Sequence, residues 1–264
     1  DANTTGDNNI AIGRSALGAN TTGDSNTVVG TFALDANTTA DNNTAVGYAA
    51  LTANTTGTRN TAVGSGSADA ITTGSYNTAV GYLSLSSATT ATKNTAVGDY
   101  ALNATTTGVS NTAVGQGALQ TNSTGTLNVA MGVDALNQNT TGANNVAVGV
   151  NSLDACTTGA SNCGIGINAG GGITTGNHNI GIGNNTFVES VVLTTGGQNI
   201  IIGNFSRTDA VDSTYAIGLG YNISATGGYT TFGESLADIR TAHGSTSWAT
   251  VSDQRYKKDI VDST

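Results

Sequence analysis

Few residues in this chain are equipped for chemistry, and they are scattered. Cys156 and Cys163 lie seven positions apart. Two cysteines are too few for a disulfide scaffold, so they read as two small buried thiols or as a bridge across one turn of the repeat described below. His178 and His243 have no second ligand at metal spacing and are expected to be solvated corner residues. Gly170-Gly171-Gly172 is followed by neither a Lys-Ser/Thr pair nor a helix, so it extends a corner and is no phosphate loop. There is no Gly-Gly-x-Gly-x-Asp repeat to load a solenoid with calcium. No paired carboxylates, Ser/His/Asp set or Cys/His set recurs near a plausible cleft. Neither a cofactor nor a metal is expected.

The composition narrows the class. Of 264 residues, 9% are charged and 5% aromatic, and proline is absent. The 37% hydrophobic fraction is largely alanine and valine, too light for a thick globular core. Disorder is a poor alternative, because disordered tracts carry high charge and proline. No apolar run approaches the roughly 20 residues that span a bilayer, so no membrane insertion is expected. Net charge is −9, and before residue 240 the only cations are Arg14, Arg59, Lys93 and Arg207. A surface so poor in cations cannot neutralise phosphates, which argues against nucleic acid. The opening DANTTG matches DANTTA at 35–40, so the sequence is expected to begin within a repeat.

That repeat is the strongest signal. Glycine recurs every 17 residues at Gly13, Gly30, Gly47, Gly64, Gly81, Gly98, Gly115, Gly132, Gly149, Gly166 and Gly183, and Gly203 follows after a three-residue insertion. Four residues before each stands an asparagine: Asn9, Asn26, Asn43, Asn60, Asn77, Asn94, Asn111, Asn128, Asn145, Asn162, Asn179 and Asn199. Val, Ile or Met always precedes the glycine, and a threonine lies eight residues before it, from Thr5 to Thr195. The unit reads T-T-G-x-x-N-T-A-V-G-x-x-A-L-x-x-N, and a period near this length means a solenoid.

The chemistry of one unit predicts its shape. N-T-A-V-G alternates polar and apolar residues with β-branched side chains, which is a short strand. Its bounding Gly and Asn tolerate positive φ and suit corners. The second half, x-x-A-L, is expected to be a shorter strand, and Gly and Asn recur too often for helix. Each unit is therefore one coil of two short strands. Stacked in parallel, twelve coils make a rod of roughly 55–60 Å at ~4.8 Å per coil. The aliphatic residue before the glycine, the leucines at Leu17, Leu34, Leu51, Leu102, Leu119, Leu136 and Leu153, and some alanines are expected to fill the interior. That is little burial against the entropy of ordering the chain. Lateral association is expected to add more, with the alanine column as the flat contact.

Residues 1–203 thus form a twelve-coil region. Gly218 and Gly233 follow at intervals of 15 without the asparagine, and 204–233 reads as two divergent coils that cap or taper the rod. Residues 234–251, with Trp248, read as a linker or short β tip. Beyond them the character shifts to Ser-Asp-Gln-Arg-Tyr-Lys-Lys-Asp-Ile at 252–260, a different unit over 252–264.

The N-T-A-V-G-x-x-A-L unit resembles the head repeats of trimeric autotransporter adhesins. That resemblance covers about 1–233 and implies an all-β, left-handed parallel β-roll, a β-solenoid with 17-residue coils, wound as a homotrimeric fibre. The adhesin unit is usually a little shorter, so longer corners are implied here. Trp248 with Ser252 to Ile260 resembles the start of the intramolecular chaperone domain at the C-terminus of phage tail fibres and tailspikes, which drives trimer assembly and in many members cuts itself off. Carried over by motif position, Ser252 is the nucleophile, Lys257 the general base, and Val251–Ser252 the scissile bond. A lysine can take the serine proton where burial and its neighbours Lys258 and Arg255 lower its pKa; the plain alternative is a solvated basic patch.

Together these imply a structural virion protein: a tail fibre attaching to a bacterial host, with no turnover and at most one self-cleavage. Its partners are then itself as a homotrimer, other tail or baseplate proteins, and a bacterial surface receptor, glycan or outer-membrane protein. Tyr48, Tyr82, Tyr100, Arg14, Gln116 and Asp134 occupy outward, variable positions suited to that contact. The first alternative is an adhesin anchored on a bacterial cell surface. The second is an ice-binding solenoid using Thr ladders such as Thr4-Thr5, Thr21-Thr22 and Thr55-Thr56, although adjacent threonines on a strand point to opposite faces.

Overall fold

The computed structural model describes residues 2–188, 194–234, 238–245 and 249–250, and among them there is strand and turn but no helix. One short strand marks each repeat: β1 (Ile10–Ile12), β2 (Thr27–Val29), β3 (Thr44–Val46), β4 (Thr61–Val63), β5 (Thr78–Val80), β6 (Thr95–Val97), β7 (Thr112–Val114), β8 (Val129–Met131), β9 (Val146–Val148), β10 (Cys163–Ile165), β11 (Ile180–Ile182) and β12 (Ile200–Ile202). Each pairs in parallel with the next, in chain order. The register is constant, as in Thr44↔Thr61, Ala45↔Ala62 and Val46↔Val63. Only the step from β11 to β12 differs, pairing Ile180 with Ile200 to absorb the insertion. The chain is an all-β parallel solenoid of 17-residue coils.

The second half of the coil departs from expectation. After β3, Ala49 and Leu51 have φ of 55° and 53°, and Asn42 before the strand has 59°. The same three positions are left-handed in coil after coil. This alternation prevents a second strand: the Leu51 N–H reaches forward to the Ser67 carbonyl, while Thr52 and Asn54 close local turns on Ala49 and Leu51. A left-handed leucine costs roughly 1–2 kcal/mol. Complete burial of its side chain returns about 1.5–3 kcal/mol, so packing outweighs strain. Among the described residues, the second side pairs as strand only in the last coils, β13 (Arg207–Thr208) with β15 (Ser224–Ala225).

The interior is also filled differently. The residue inside the strand is its centre, so Ala45, Ala62, Ala79, Ala96, Ala113, Ala130 and Ala147 are all 0% exposed. The aliphatic residue before the glycine faces outward, and Met131 is 45% exposed. The alanine column is therefore core and not the lateral contact surface. The coil is too thin for two large residues to meet across it. Where Phe187 replaces the usual leucine, the strand centre is Gly181, and a methyl there would meet the Phe187 ring at 3.1 Å. Where Arg207 stands at the leucine position, Ile201 fills the centre at 0% exposure. Large and small residues compensate across the coil at close-packed density.

The glycine column is set by backbone contact. Gly98 has φ +132, and a methyl on it would lie 2.6 Å from the carbonyl carbon of Gly115 in the next coil. Beyond β12, the stack continues through β14 (Ile217–Tyr221) and β16 (Tyr229–Glu234). Here Gly220, and not Gly218, takes the column position: Gly220 pairs with Gly233, while Gly218 lies opposite Ile201 at a strand centre. The intervals are thus 17 and 13, where equal steps of 15 are expected from sequence. β17 (Ile239–Ala242) then pairs antiparallel with β16, and β18 (Ala249–Thr250) with β17, which ends the parallel stack.

Candidate interaction surface

Two asparagine columns hold the corners and leave the outside free for function. In the first, the Asn111 backbone N–H donates to Asn94 Oδ1 at 2.9 Å, and Asn94 Nδ2 donates to the Gly108 carbonyl at 2.9 Å. The same bonds recur around Asn145, with Gly159 as the acceptor. Each amide thereby satisfies buried backbone that the corner would otherwise strand. The second column, three residues after the leucine, is discontinuous. Asn37 Nδ2 donates to Asn20 Oδ1 at 2.8 Å and Asn139 Nδ2 to Asn122 Oδ1 at 2.8 Å. Ile71 follows Asn54 in this column and Cys156 follows Asn139, neither with a side-chain N–H to offer. Asn54 Oδ1 and Asn139 Oδ1 are accordingly buried without a partner.

The outer face of the strands is a regular surface. Its two columns run from Ile10 and Ile12 to Ile200 and Ile202 and hold no charged side chain. Over β2–β7 they read Thr and Val. Over β8–β12 they are aliphatic apart from Cys163, and the next outward column adds Val133, Val150 and Ile167, the last 51% exposed. Exposed apolar stretches without charge are typical of association surfaces.

At the edge of this face stand the variable residues. Tyr48 is 59% and Tyr82 47% exposed; Arg14 and Gln116 are exposed, while Tyr100 and Asp134 are half-buried. Several are paired: Arg14 lies 4.5 Å from the Phe32 ring centre, and Phe32–Tyr48 and Tyr82–Tyr100 are edge-to-face at 6.1 and 5.4 Å.

The threonine pairs split. The first of each donates its hydroxyl to the next coil, as Thr21 Oγ1 does to the Thr38 carbonyl at 2.9 Å. The second, from Thr5 through Thr195, is exposed in every coil. Each pair therefore offers one outward column, not two.

The remaining candidates do not converge. Both cysteines are free: Cys156 is buried in the second asparagine column, whereas Cys163 is half-buried on the outer strand face. Burial pushes the Cys156 thiol up to about 11 and raises Cys163 too. His178 and His243 are exposed at separate corners, and His243 Nε2 lies 3.3 Å from Thr230 Oγ1. No group of three His, Cys, Asp or Glu side chains placed to hold a metal occurs among the described residues. Ser252, Lys257 and the Val251–Ser252 bond lie outside the described residues, as does Trp248.

No family model, curated protein or solved structure matches this chain. What sequence reasoning missed is the outward valine column. Its signal was present in the recurrent alanine at the strand centre, a small side chain suited to a thin coil that already holds a leucine.

Proposed function

We propose that this chain is a structural attachment fibre: a left-handed β-roll wound as a homotrimer, belonging to a bacteriophage tail fibre that binds the surface of a bacterial host. The observation that carries this reading is the division between inside and outside. Alanine, leucine and asparagine recur inside each coil, while the residue after the glycine runs Arg14, Thr31, Tyr48, Ser65, Tyr82, Asp99, Gln116, Val133. A stiff scaffold that displays changing side chains at fixed spacing is suited to recognition and to reach. The uncharged strand face offers copies of a chain of charge −9 a place to meet without like-charge repulsion. The aliphatic stretch over β8–β12 is the centre of that contact.

In this reading the partners are two further copies, other tail or baseplate proteins, and a bacterial surface receptor, and the location is the virion. The chaperone-like segment at 252–264 assists trimer assembly and is cut once before Ser252, with Lys257 as base. A cell-surface adhesin uses the same rod, so the test includes the segment that tells them apart. The full chain is expressed, its mass is measured under denaturing conditions, and labelled protein is sedimented with bacterial cells. Cleavage before Ser252 that Ser252→Ala abolishes, with saturable binding to a susceptible strain, is the expected result. An intact chain that binds no strain overturns it.

A second reading, an ice-binding solenoid, is favoured by the exposed threonine column, whose side chains make no internal bond in coil after coil. Thermal hysteresis lost on Thr90→Tyr and Thr107→Tyr is its measurement.

A further inference from the structure

Along the corner column after the glycine, one coil is unlike its neighbours. Phe32 and Tyr48 form an aromatic pair on the second and third coils, and Tyr82 and Tyr100 form another on the fifth and sixth. Between them the fourth coil presents Ser65 and Gly66, so a gap one coil wide separates two exposed tyrosines. Stacked strands put Tyr48 and Tyr82 roughly 9–10 Å apart along the rod. Carbon atoms are in contact at about 4–4.5 Å. The gap therefore has room for one saturated six-membered ring between the two tyrosines.

The floor of the gap is mixed. Ser65 is exposed and its hydroxyl has no bond within the chain, while Leu83 leans over Gly66: a methyl added to Gly66 would lie 2.6 Å from Leu83 Cδ2. The same methyl would be 3.8 Å from Asp69 Oδ2, and Asp69 Oδ1 is buried without a donor. Tyrosine walls, an apolar floor and the unbonded Ser65 hydroxyl match a pyranose, which has C–H faces and a hydroxyl rim. The local charge disfavours an anion. Asp69 and Asp99 flank the gap, the Tyr82 backbone N–H is bonded to Asp99 Oδ1 at 3.0 Å, and the nearby cation Arg14 is engaged with Phe32.

We infer that the corner formed by Tyr48, Ser65 and Tyr82 is a binding site for a neutral sugar ring of a surface glycan. The inference rests on the attachment reading and names the class of receptor. Tyrosine suits such a site because it offers rigid contact area and a polar tip at small entropic cost. The site stands on the Thr/Val part of the rod, several coils from the aliphatic stretch over β8–β12, so self-association leaves it open.

The test uses the full chain, fluorescently labelled, on an array of neutral hexose and N-acetylhexosamine oligosaccharides. Capture of at least one glycan is expected, weakened about tenfold or more by Tyr48→Ala, by Tyr82→Ala and by Ser65→Tyr. Tyrosine already occupies this column in two nearby coils, so Ser65→Tyr fills the gap without disturbing the coil. Tyr221→Ala, which alters a corner tyrosine paired with Phe205 but beside no gap, is expected to leave capture unchanged. Absence of capture, or capture indifferent to the three substitutions, overturns the site. Sedimentation with cells separates the two claims. Cell binding that survives Tyr48→Ala and Tyr82→Ala sinks this site and keeps the fibre, and glycan capture without cell binding does the reverse.

Discussion

From Thr27 to Val114 the outward strand positions alternate threonine and valine, whereas from Val129 to Ile202 both are aliphatic except at Cys163. Behind these two stretches the coils are nearly the same. Ala96 and Ala147 are equally buried, Leu102 and Leu153 share the same left-handed backbone, and Asn94 and Asn145 make the same bonds to the coils on either side. The comparison teaches that folding constrains the inward columns wherever they occur, while the outward columns are released for other duties. One half of the face stays mildly polar, and the other is apolar.

If this is right, an inward substitution costs the same in either half. The largest effect is expected for Gly98→Ala and Gly149→Ala. Both glycines have φ near +130, and each would drive a methyl into the backbone of the following coil. Strain at such a position together with the overlap is expected to cost about 3 kcal/mol or more in each case. Urea midpoints that differ strongly between the two would break the equivalence.

Next comes the asparagine column. Asn94→Ala strands the Gly108 carbonyl and the Asn111 N–H, and Asn145→Ala strands the Asn162 N–H and leaves the Gly159 carbonyl only the weak Cys156 S–H donor at 3.6 Å. Buried groups left without partners are expected to cost about 2–4 kcal/mol per variant. Asn54→Ala should cost less than Asn94→Ala, because Asn54 Oδ1 has no donor to lose.

The smallest effect is in pH. Burial raises the carboxyl of Asp69 in the first half and of Asp154 in the second above 3.8, and Asp134 adds to the shift at Asp154. A carboxyl with a raised folded pKa binds its proton more readily when folded. Its contribution to stability is therefore full below 3.8 and is lost as pH rises through the raised folded value. A modest gain in the urea midpoint is expected on moving from pH 7 toward pH 4, reduced in Asp69→Asn and in Asp154→Asn alike. A midpoint that drops steadily as the pH is lowered from 7 to 4 would contradict the burial of these carboxyls.

The same contrast explains what was legible in sequence. The glycine and asparagine columns were readable because backbone contact and buried polar bonds tolerate one residue type, and a fixed period exposes that intolerance. The direction of T-A-V was not. Alternation shows that two faces exist, but hydrophobicity assigns Val to the core, and only the width of the coil reverses it in favour of alanine. The leucine side was misread for a related reason. Nothing in Leu51 or Leu102 announces positive φ, since leucine avoids it unless burial compensates. Beyond Gly203, counting glycines favoured Gly218, which fills a strand centre, over Gly220, which alone occupies the column. The paired tyrosines were legible as outward residues, but the gap between them required knowing that Ser65 and Gly66 share their edge.

The most direct test of the account is the mass of the folded protein in solution, measured by light scattering for the native chain and for Ile165→Lys and Thr95→Lys. Both substitutions place a cation on the outer strand face, one in the aliphatic half and one in the Thr/Val half. The account predicts a native trimer that Ile165→Lys reduces to monomer while Thr95→Lys leaves it intact, with both variants retaining the β spectrum. A monomeric native chain, or a trimer that Ile165→Lys fails to disturb, would contradict it.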